Sequence, residues 1–420
     1  MTTHPDIDAS LLLPPEELAA FVQPFLDRRR AYLDLADTHD SPLYVLEPDI
    51  LVRQAQSFQN AFSAKLPDPG FFFAVKSNNC PDVAKTLVSC SFGLDVSSGQ
   101  ELSMVLATNA ETIVFSGPGK TAGELALAVA NRGRVTVLID SFGEMERLES
   151  AAAAAQATVS AGIRLTTTAD GLWRKFGILP ERLAEFYEAS KKCGHVNLTG
   201  LQFHTSWNMD PKTHVAFIER LGAVLARMPE TFIRQLAFID IGGGFWPEAG
   251  EWLHHPEGKP ADPKTSFSHV RPHYRLAARP ITDFADAIGE AVRRHIFPVA
   301  DVRICMEPGR WVCHPAMQLL MRVIDRKADD LVVTDAGTSA IGWERFETDY
   351  FPVLNLSRPD TREQPCLILG SLCTPHDVWG FSYFGKDIRE GDILLIPAQG
   401  AYTYSLRQNF IKPLPRLVIL

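Results

Sequence analysis

Several side chains able to do chemistry stand at or just beyond the ends of short apolar runs in this chain. Lys76 follows the run 71–75, Asp95 sits late in 92–96, Arg164 late in 160–165, and His204 follows 200–203. Gly242, Gly243 and Gly244 follow 237–241, and Glu307-Pro308-Gly309-Arg310 follows 302–306. A lysine amine can form an imine with a carbonyl, and an imidazole can move a proton or offer a flat ring. Glycines bare their N–H groups to an anion, and an arginine offers a planar fork to phosphate or carboxylate. Singly, each has a plain structural explanation. A strand-end lysine lays its stem on apolar surface, and a lone glutamate is often just a salt-bridge partner. The glycine run lacks the G-x-G-x-x-G spacing of a dinucleotide loop. Ser116-Gly117-Pro118-Gly119-Lys120-Thr121 ends like a nucleotide loop, yet Val114 occupies the position of its first glycine. The shared placement is what argues for one site.

Residues so placed meet only if their strands end at a common rim. Apolar runs at 71–75, 92–96, 112–115, 135–139, 160–165, 200–203, 237–241 and 302–306 alternate with amphipathic or alanine-rich helical segments. This repeat predicts an α/β fold of the (β/α)8 TIM barrel type, whose parallel strands are covered on both faces and read as unbroken apolar runs. A doubly wound open sheet gives a similar rhythm; the count favours the barrel. In such barrels reactive groups collect at the C-terminal strand ends.

Beyond Arg310 the rhythm changes to strands at 317–323, 331–334, 365–369, 393–396 and 417–420 without helices between them, which predicts a C-terminal all-β domain. A strand at 42–46 precedes a helix capped by Asp49 and running to about residue 64. The expected organisation is therefore an N-terminal segment 1–46 contributing to the β domain, a barrel over 47–312, and the β domain over 313–420. The segment 246–280 is long, irregular and rich in Pro and His. His254, His255, His269 and His273 match no metal-site spacing, so no metal is assigned.

Apolar residues form 46% of the 420-residue chain and charged residues 22%, a globular balance. A net charge of −9 with dispersed Lys and Arg argues against nucleic acid and acidic membranes as partners. The apolar patch Leu11-Leu12-Leu13 is too short for a signal peptide, and no run is long enough to span a bilayer. Seven cysteines without a CxxC pair fit neither a disulfide framework nor a zinc knuckle, so a cytoplasmic location is expected.

The ordered motifs Phe73-Ala74-Val75-Lys76-Ser77-Asn78, Gly93-Leu94-Asp95 through Glu101-Leu102, Phe203-His204, Asp240-Ile241-Gly242-Gly243-Gly244-Phe245, Glu307-Pro308-Gly309-Arg310, Cys373 and Gly400-Ala401-Tyr402-Thr403 are specific together. With them, from about Leu43 to Tyr404, the chain resembles the fold-type III pyridoxal-phosphate decarboxylases acting on ornithine, arginine or diaminopimelate, with alanine racemase a more distant relative. The resemblance implies an alanine-racemase-like barrel and pyridoxal 5'-phosphate as cofactor. Lys76 would carry the cofactor as an aldimine, and Glu307 would keep its pyridine nitrogen protonated. His204 would stack on the ring. Gly242, Gly243, Gly244, Gly309, Arg310 and Tyr402 would hold the phosphate, and Asp95 and Arg164 would orient the lysine side. Cys373 matches the family cysteine that returns a proton to the substrate carbon from the partner subunit, which implies a homodimer with shared sites. Lys175 and Asp377 match a family intersubunit ion pair.

Two departures bear on the substrate. The family places Asp or Glu after the cysteine, to read a distal charged group, whereas this chain has Thr374. A neutral hydroxyl cannot offset a buried ammonium. Asp349 does match a second substrate carboxylate, which points the other way. The Cys-Thr-Pro-x-Asp form is similar to a subgroup acting on siderophore intermediates or carrier-linked amino acids, so the expected reaction is decarboxylation of an amino acid, conjugated in this way. The alternatives are decarboxylation of free diaminopimelate, ornithine or lysine, racemisation, and a catalytically dead regulatory homologue. His204-Thr205-Ser206-Trp207 also departs, since the family has Gly and Ser after the residue that follows the histidine; Trp207 would narrow the pocket or Ser206 would replace a phosphate contact.

Overall fold

The computed structural model describes residues 9–253, 270–342 and 352–420. The chain divides into two compact units, one from Val52–Glu248 and Arg279–Val312, the other from Met1–Leu51, Ala249–Ala278 and Cys313–Leu420.

The first unit is a closed barrel of eight parallel strands: Gly70–Ala74, Gly93–Val96, Ile113–Phe115, Val135–Ile139, Val159–Leu165, Val196–Phe203, Phe238–Asp240 and Arg303–Met306. Each pairs with the next, and Cys305 opposite Gly70 closes the ring. The strands are mostly apolar because a barrel wall is covered on both sides. Ser98, Thr121 and Ser141 each accept the N–H of the residue three places on and start the helices after the second, third and fourth strands. Unmet N–H groups at a helix start favour such oxygen-bearing side chains, so these helices begin within a few residues of the strand ends. Helix Ile281–His295 shows the amphipathic logic: Ile281, Phe284, Ala285, Ile288 and Val292 are buried, while Arg293, Arg294 and His295 fill its last turn. Each large apolar side chain so buried contributes roughly 1.5–3 kcal/mol.

Lys120, in the loop that ends like a nucleotide site, points inward. Its amine donates to the carbonyls of Gly117 and Leu138, at 2.7 and 2.8 Å, and to Glu144 Oε1 at 2.7 Å. All three ammonium donors are thus used inside the protein, and the residue latches the third strand's loop to the fourth strand and its helix.

The second unit is built on an eight-stranded sheet ordered Leu331–Thr334, Glu363–Leu369, Val378–Phe384, Leu354–Asn355, Ile393–Ile396, Met317–Ala328, Leu43–Leu46 and Arg416–Ile419. Leu43–Leu46, buried along its length, is antiparallel to Met317–Ala328 and parallel to Arg416–Ile419. Met317–Ala328 runs beyond the expected 323 because its far half folds back on Leu331–Thr334 as a hairpin. Val378–Phe384 and Leu354–Asn355 escaped the sequence reading; the first alternates bulky residues with Gly380 and Ser382 and is buried at every position. Helix Pro48–Ser63 begins one residue before Asp49, which therefore sits in the first turn instead of capping it. His273 is buried, with Nε2 2.9 Å from both Glu363 oxygens, whereas His254, His255 and His269 lie outside the described residues. Among the described residues no helix is long and apolar enough to cross a membrane, and no His/Cys/Asp/Glu group could hold a metal.

Glu144→Leu would leave the Lys120 ammonium buried without its counter-ion and should lower unfolding free energy by about 3–5 kcal/mol in a urea titration. Glu185→Leu, at the exposed Arg182 pair, should leave the midpoint unchanged.

Candidate active site

The first barrel strand ends at Ala74, and a single turn, Val75–Ser77, turns Lys76 onto the rim. Its side chain is 30% exposed and its amine lies 3.4 Å from Asp95 Oδ2. Asp95 is fully buried on the neighbouring strand, and its other oxygen accepts the Ser116 hydroxyl. Lys76 is thus aimed by a carboxylate that is itself held. Arg164, on the fifth strand, is buried with its guanidinium 5.1 Å from the Phe176 ring centre, and its Nε has no partner among the described residues.

Glu307 follows the eighth strand and is 1% exposed, and Gln202 Nε2 lies 3.2 Å from each of its carboxylate oxygens. Burial raises the Asp95, Asp240 and Glu307 carboxyls above their usual range, and Glu307 pushes Asp95 and Asp240 further in that direction. The Lys76 and Arg164 cations pull Asp95 and Glu307 back. His204 is held well below an ordinary histidine, first by burial and then by the same two cations. Its Nδ1 accepts the Gly243 N–H at 3.2 Å, and Nε2 lies 3.1 Å from Ser206 Oγ. Nδ1 therefore carries no proton, and its 3.9 Å approach to Glu307 Oε2 is not an ion pair. The ring is a neutral, flat surface.

The glycine turn is shaped by its neighbours as much as by any ligand. Gly242 and Gly244 have φ of +71° and +82°, and a Cβ on Gly244 would stand 2.0 Å from the Thr205 carbonyl. The Gly242 N–H is taken by Asp240 Oδ1 and that of Gly243 by His204, whereas that of Gly244 donates to no group among the described residues. Asn208 ties Thr205 to the Gly244 carbonyl, and His214 Nε2 lies 3.1 Å from the Gly243 carbonyl. Gly309 packs on Ser77 and Ala74. The Arg310 guanidinium lies 4.2 Å from the Trp246 ring centre.

Lys76, Asp95, Arg164, His204, the glycine turn, Glu307, Gly309 and Arg310 therefore share one end of the barrel. A reachable amine, a neutral ring, a buried acid, an unpartnered guanidinium nitrogen and an unclaimed backbone N–H suit a cofactor bearing an aldehyde, a ring nitrogen and a phosphate. Gln202, Asp240 and His214 were not singled out from the sequence as site residues. Gln202 did carry a signal, being a polar residue in a buried strand two places before His204 and so on the same face.

The remaining site residues belong to the β unit. Cys373 is exposed in the turn after Glu363–Leu369. Thr374 is half-buried, with its hydroxyl accepting the His376 N–H at 3.4 Å. Tyr402 is half-buried with φ of +57°, and Asp349 lies outside the described residues. Lys175 and Asp377 were expected to pair between subunits. Asp377 is 1% exposed, and its two oxygens accept the Thr338 and Leu372 N–H groups at 2.7 Å each. This carboxylate braces its own turn.

Burial lowers the His214 pKa to about 4, below the usual 6.5. The unfolded chain then takes up a proton that the folded one refuses, so stability is full above about pH 6.5 and falls as pH drops toward 4. Between pH 7 and 5 this share is about 2 kcal/mol. His214→Phe should remove it from urea titrations at the two pH values, while costing about 1–2 kcal/mol at pH 7 through the Gly243 carbonyl that loses its donor.

Residues 49–314 match the family model of the pyridoxal-binding domain of pyridoxal-dependent decarboxylases, and residues 297–400 that of their C-terminal sheet domain. A diaminopimelate decarboxylase of Methanothermobacter thermautotrophicus is 25% identical over 402 residues, covering 92% of this chain and 88% of that protein. One from Neisseria meningitidis serogroup B is 26% identical over 399 residues, covering 90% and 87%. Among solved structures, diaminopimelate decarboxylase from Helicobacter pylori complexed with L-lysine shares the fold at TM-score 0.75 and 21% identity, over 93% of this chain and 94% of that one. Lysine/ornithine decarboxylase from Vibrio vulnificus complexed with putrescine does so at TM-score 0.74 and 21% identity, over 94% and 98%. The barrel-end geometry and the two matched segments lead to the same place: this chain belongs to the pyridoxal-dependent decarboxylases, and its cofactor is pyridoxal 5'-phosphate.

Proposed function

We propose that this decarboxylase removes the α-carboxylate of a free diamino acid of the diaminopimelate, lysine or ornithine class, with Lys76 as the residue that carries the cofactor. The observation behind this reading is the Lys76–Asp95 and Glu307–Gln202 pairing at one barrel end, in a chain aligned over about nine-tenths of its length with diaminopimelate decarboxylases. Those relatives support the free-substrate alternative more than the siderophore- or carrier-linked expectation.

Bound pyridoxal phosphate supplies the electron sink for the pair left by departing carbon dioxide. The protein's part is positional and electrostatic. Asp95, held by Ser116, orients the Lys76 amine. Glu307, with Gln202 on its oxygens, would keep a proton at the pyridine nitrogen, and the neutral His204 ring would give a flat wall. Arg164 carries its buried charge to the lysine side. The Gly244 N–H, with Gly309, Arg310 and Tyr402, would hold the phosphate. Cys373, delivered by a second copy in a homodimer, returns a proton to the substrate carbon. Racemisation is disfavoured by Glu307, since a racemase usually sets an arginine at the ring nitrogen.

Thr374 supports a second reading. It stands where the family uses a carboxylate to meet a distal ammonium, and its hydroxyl is already engaged with the His376 N–H. A conjugated amino acid whose distal amine is masked needs no such counter-charge.

Mass spectrometry of reactions with meso-diaminopimelate, lysine, ornithine, citryl-linked and carrier-linked amino acids separates the two. Loss of carbon dioxide from a free diamino acid is the expected result; loss from conjugates alone would overturn it. Cys373→Ala should lower turnover about 10²- to 10⁴-fold, the range for loss of a positioned proton donor, and near-normal turnover with unchanged product stereochemistry would contradict its role.

A further inference from the structure

We propose that Asp240 keeps its proton in the working protein and donates it to Glu307, acting as a positioning residue for the acid at the pyridine nitrogen; this rests on the reading of Glu307 given above. Asp240 closes the seventh barrel strand and Glu307 follows the eighth. The Glu307 N–H donates to the Gly242 carbonyl at 2.8 Å, so the two strand ends are locked side by side. Asp240 is fully buried. Its Oδ1 accepts the Gly242 N–H at 2.8 Å, and its Oδ2 meets no donor among the described residues. The neighbouring buried acid is Glu307, 1% exposed and tied through its own N–H to the residue two places beyond Asp240, and the two carboxyls act on each other.

Two ionised carboxylates side by side and away from water repel each other. One proton between them turns that repulsion into a short charge-assisted O–H···O bond. The surroundings decide which partner holds it. Lys76, Arg164 and the Gln202 amide all favour the charged form of Glu307. Around Asp240, burial and the charges of Glu307 and Asp95 oppose ionisation, against one backbone N–H and the more weakly felt Arg164. The Cys305 thiol, paired in register with Asp240, is kept neutral by burial. The proton therefore stays on Asp240, and Glu307 remains the anion. With Asp240 and Gln202 both donating to it, that anion is held in one orientation before any ligand arrives.

The test is infrared spectroscopy of the holoenzyme carrying carbon-13 in the aspartate carboxyl groups, together with cofactor-binding titrations followed by fluorescence. The expected result is a protonated-carboxyl stretch at neutral pH that shifts with the label and is missing from Asp240→Asn. An amide keeps both a donor and an acceptor, so Asp240→Asn should bind cofactor within about threefold of wild type, whereas Asp240→Ala should bind it about 10- to 100-fold more weakly. The absence of such a band from the wild type, or its persistence in Asp240→Asn, would overturn the proposal. So would an Asp240→Asn protein that releases cofactor as readily as Asp240→Ala. If Asp240→Ala does not fold, the band and the Asp240→Asn titration still decide. A band in the wild type with cofactor absorbance unaltered by Glu307→Gln would uphold the proton and overturn the Glu307 reading alone.

Discussion

Three carboxyl groups closed off from water at one end of a barrel cannot all be charged, and this constraint organises the site. Asp95, Asp240 and Glu307 repel one another, and the opposing charges are Lys76 and Arg164. Leaving a buried charge unpaired costs several kcal/mol, so each acid needs a cation, a hydrogen-bond donor or a proton. Asp95 has Lys76 and Ser116, and Glu307 has Gln202 and the two cations. His204 is kept neutral by burial first and then by the Lys76 and Arg164 cations.

The barrel makes this arrangement possible because all its strands point one way, so residues far apart in sequence end at one rim. The turn Gly242–Gly243–Gly244 shows how tightly those ends are fitted. Its backbone passes so close to the carbonyls of Phe203, Thr205 and Glu307 that a Cβ at any of the three positions would collide. Thr205, Asn208 and His214 then fasten it from the side of the sixth strand. Two of its N–H groups serve internal bonds, which makes the turn rigid and leaves Gly244 to face a ligand.

Much of this was legible in the sequence. The eight apolar runs mark the barrel strands to within a few residues, and reading the residue after each run finds Lys76, His204 and Glu307. What was not legible depends on neighbours that only ring closure creates. Asp240 is the last residue of a short strand, and nothing in the order of residues says that its carboxyl is closed off from water with one oxygen lacking a donor among the described residues. His214 looks like part of an amphipathic helix until its ring is seen 4.9 Å from Phe245 and bonded to a carbonyl of the glycine turn. The bonds from Asp377 to the Thr338 and Leu372 N–H groups were likewise hidden, because a motif position does not show which backbone groups a carboxylate braces. In the β unit, strand Val378–Phe384 was hidden by Gly380 and Ser382, small residues that break the expected apolar pattern.

The most direct test of the account is where the cofactor is attached. Reduction of the holoenzyme with borohydride, followed by proteolysis and mass spectrometry, should place the pyridoxyl group on Lys76. A pyridoxyl group on another lysine, or none on the peptide containing residue 76, would contradict the account at its centre.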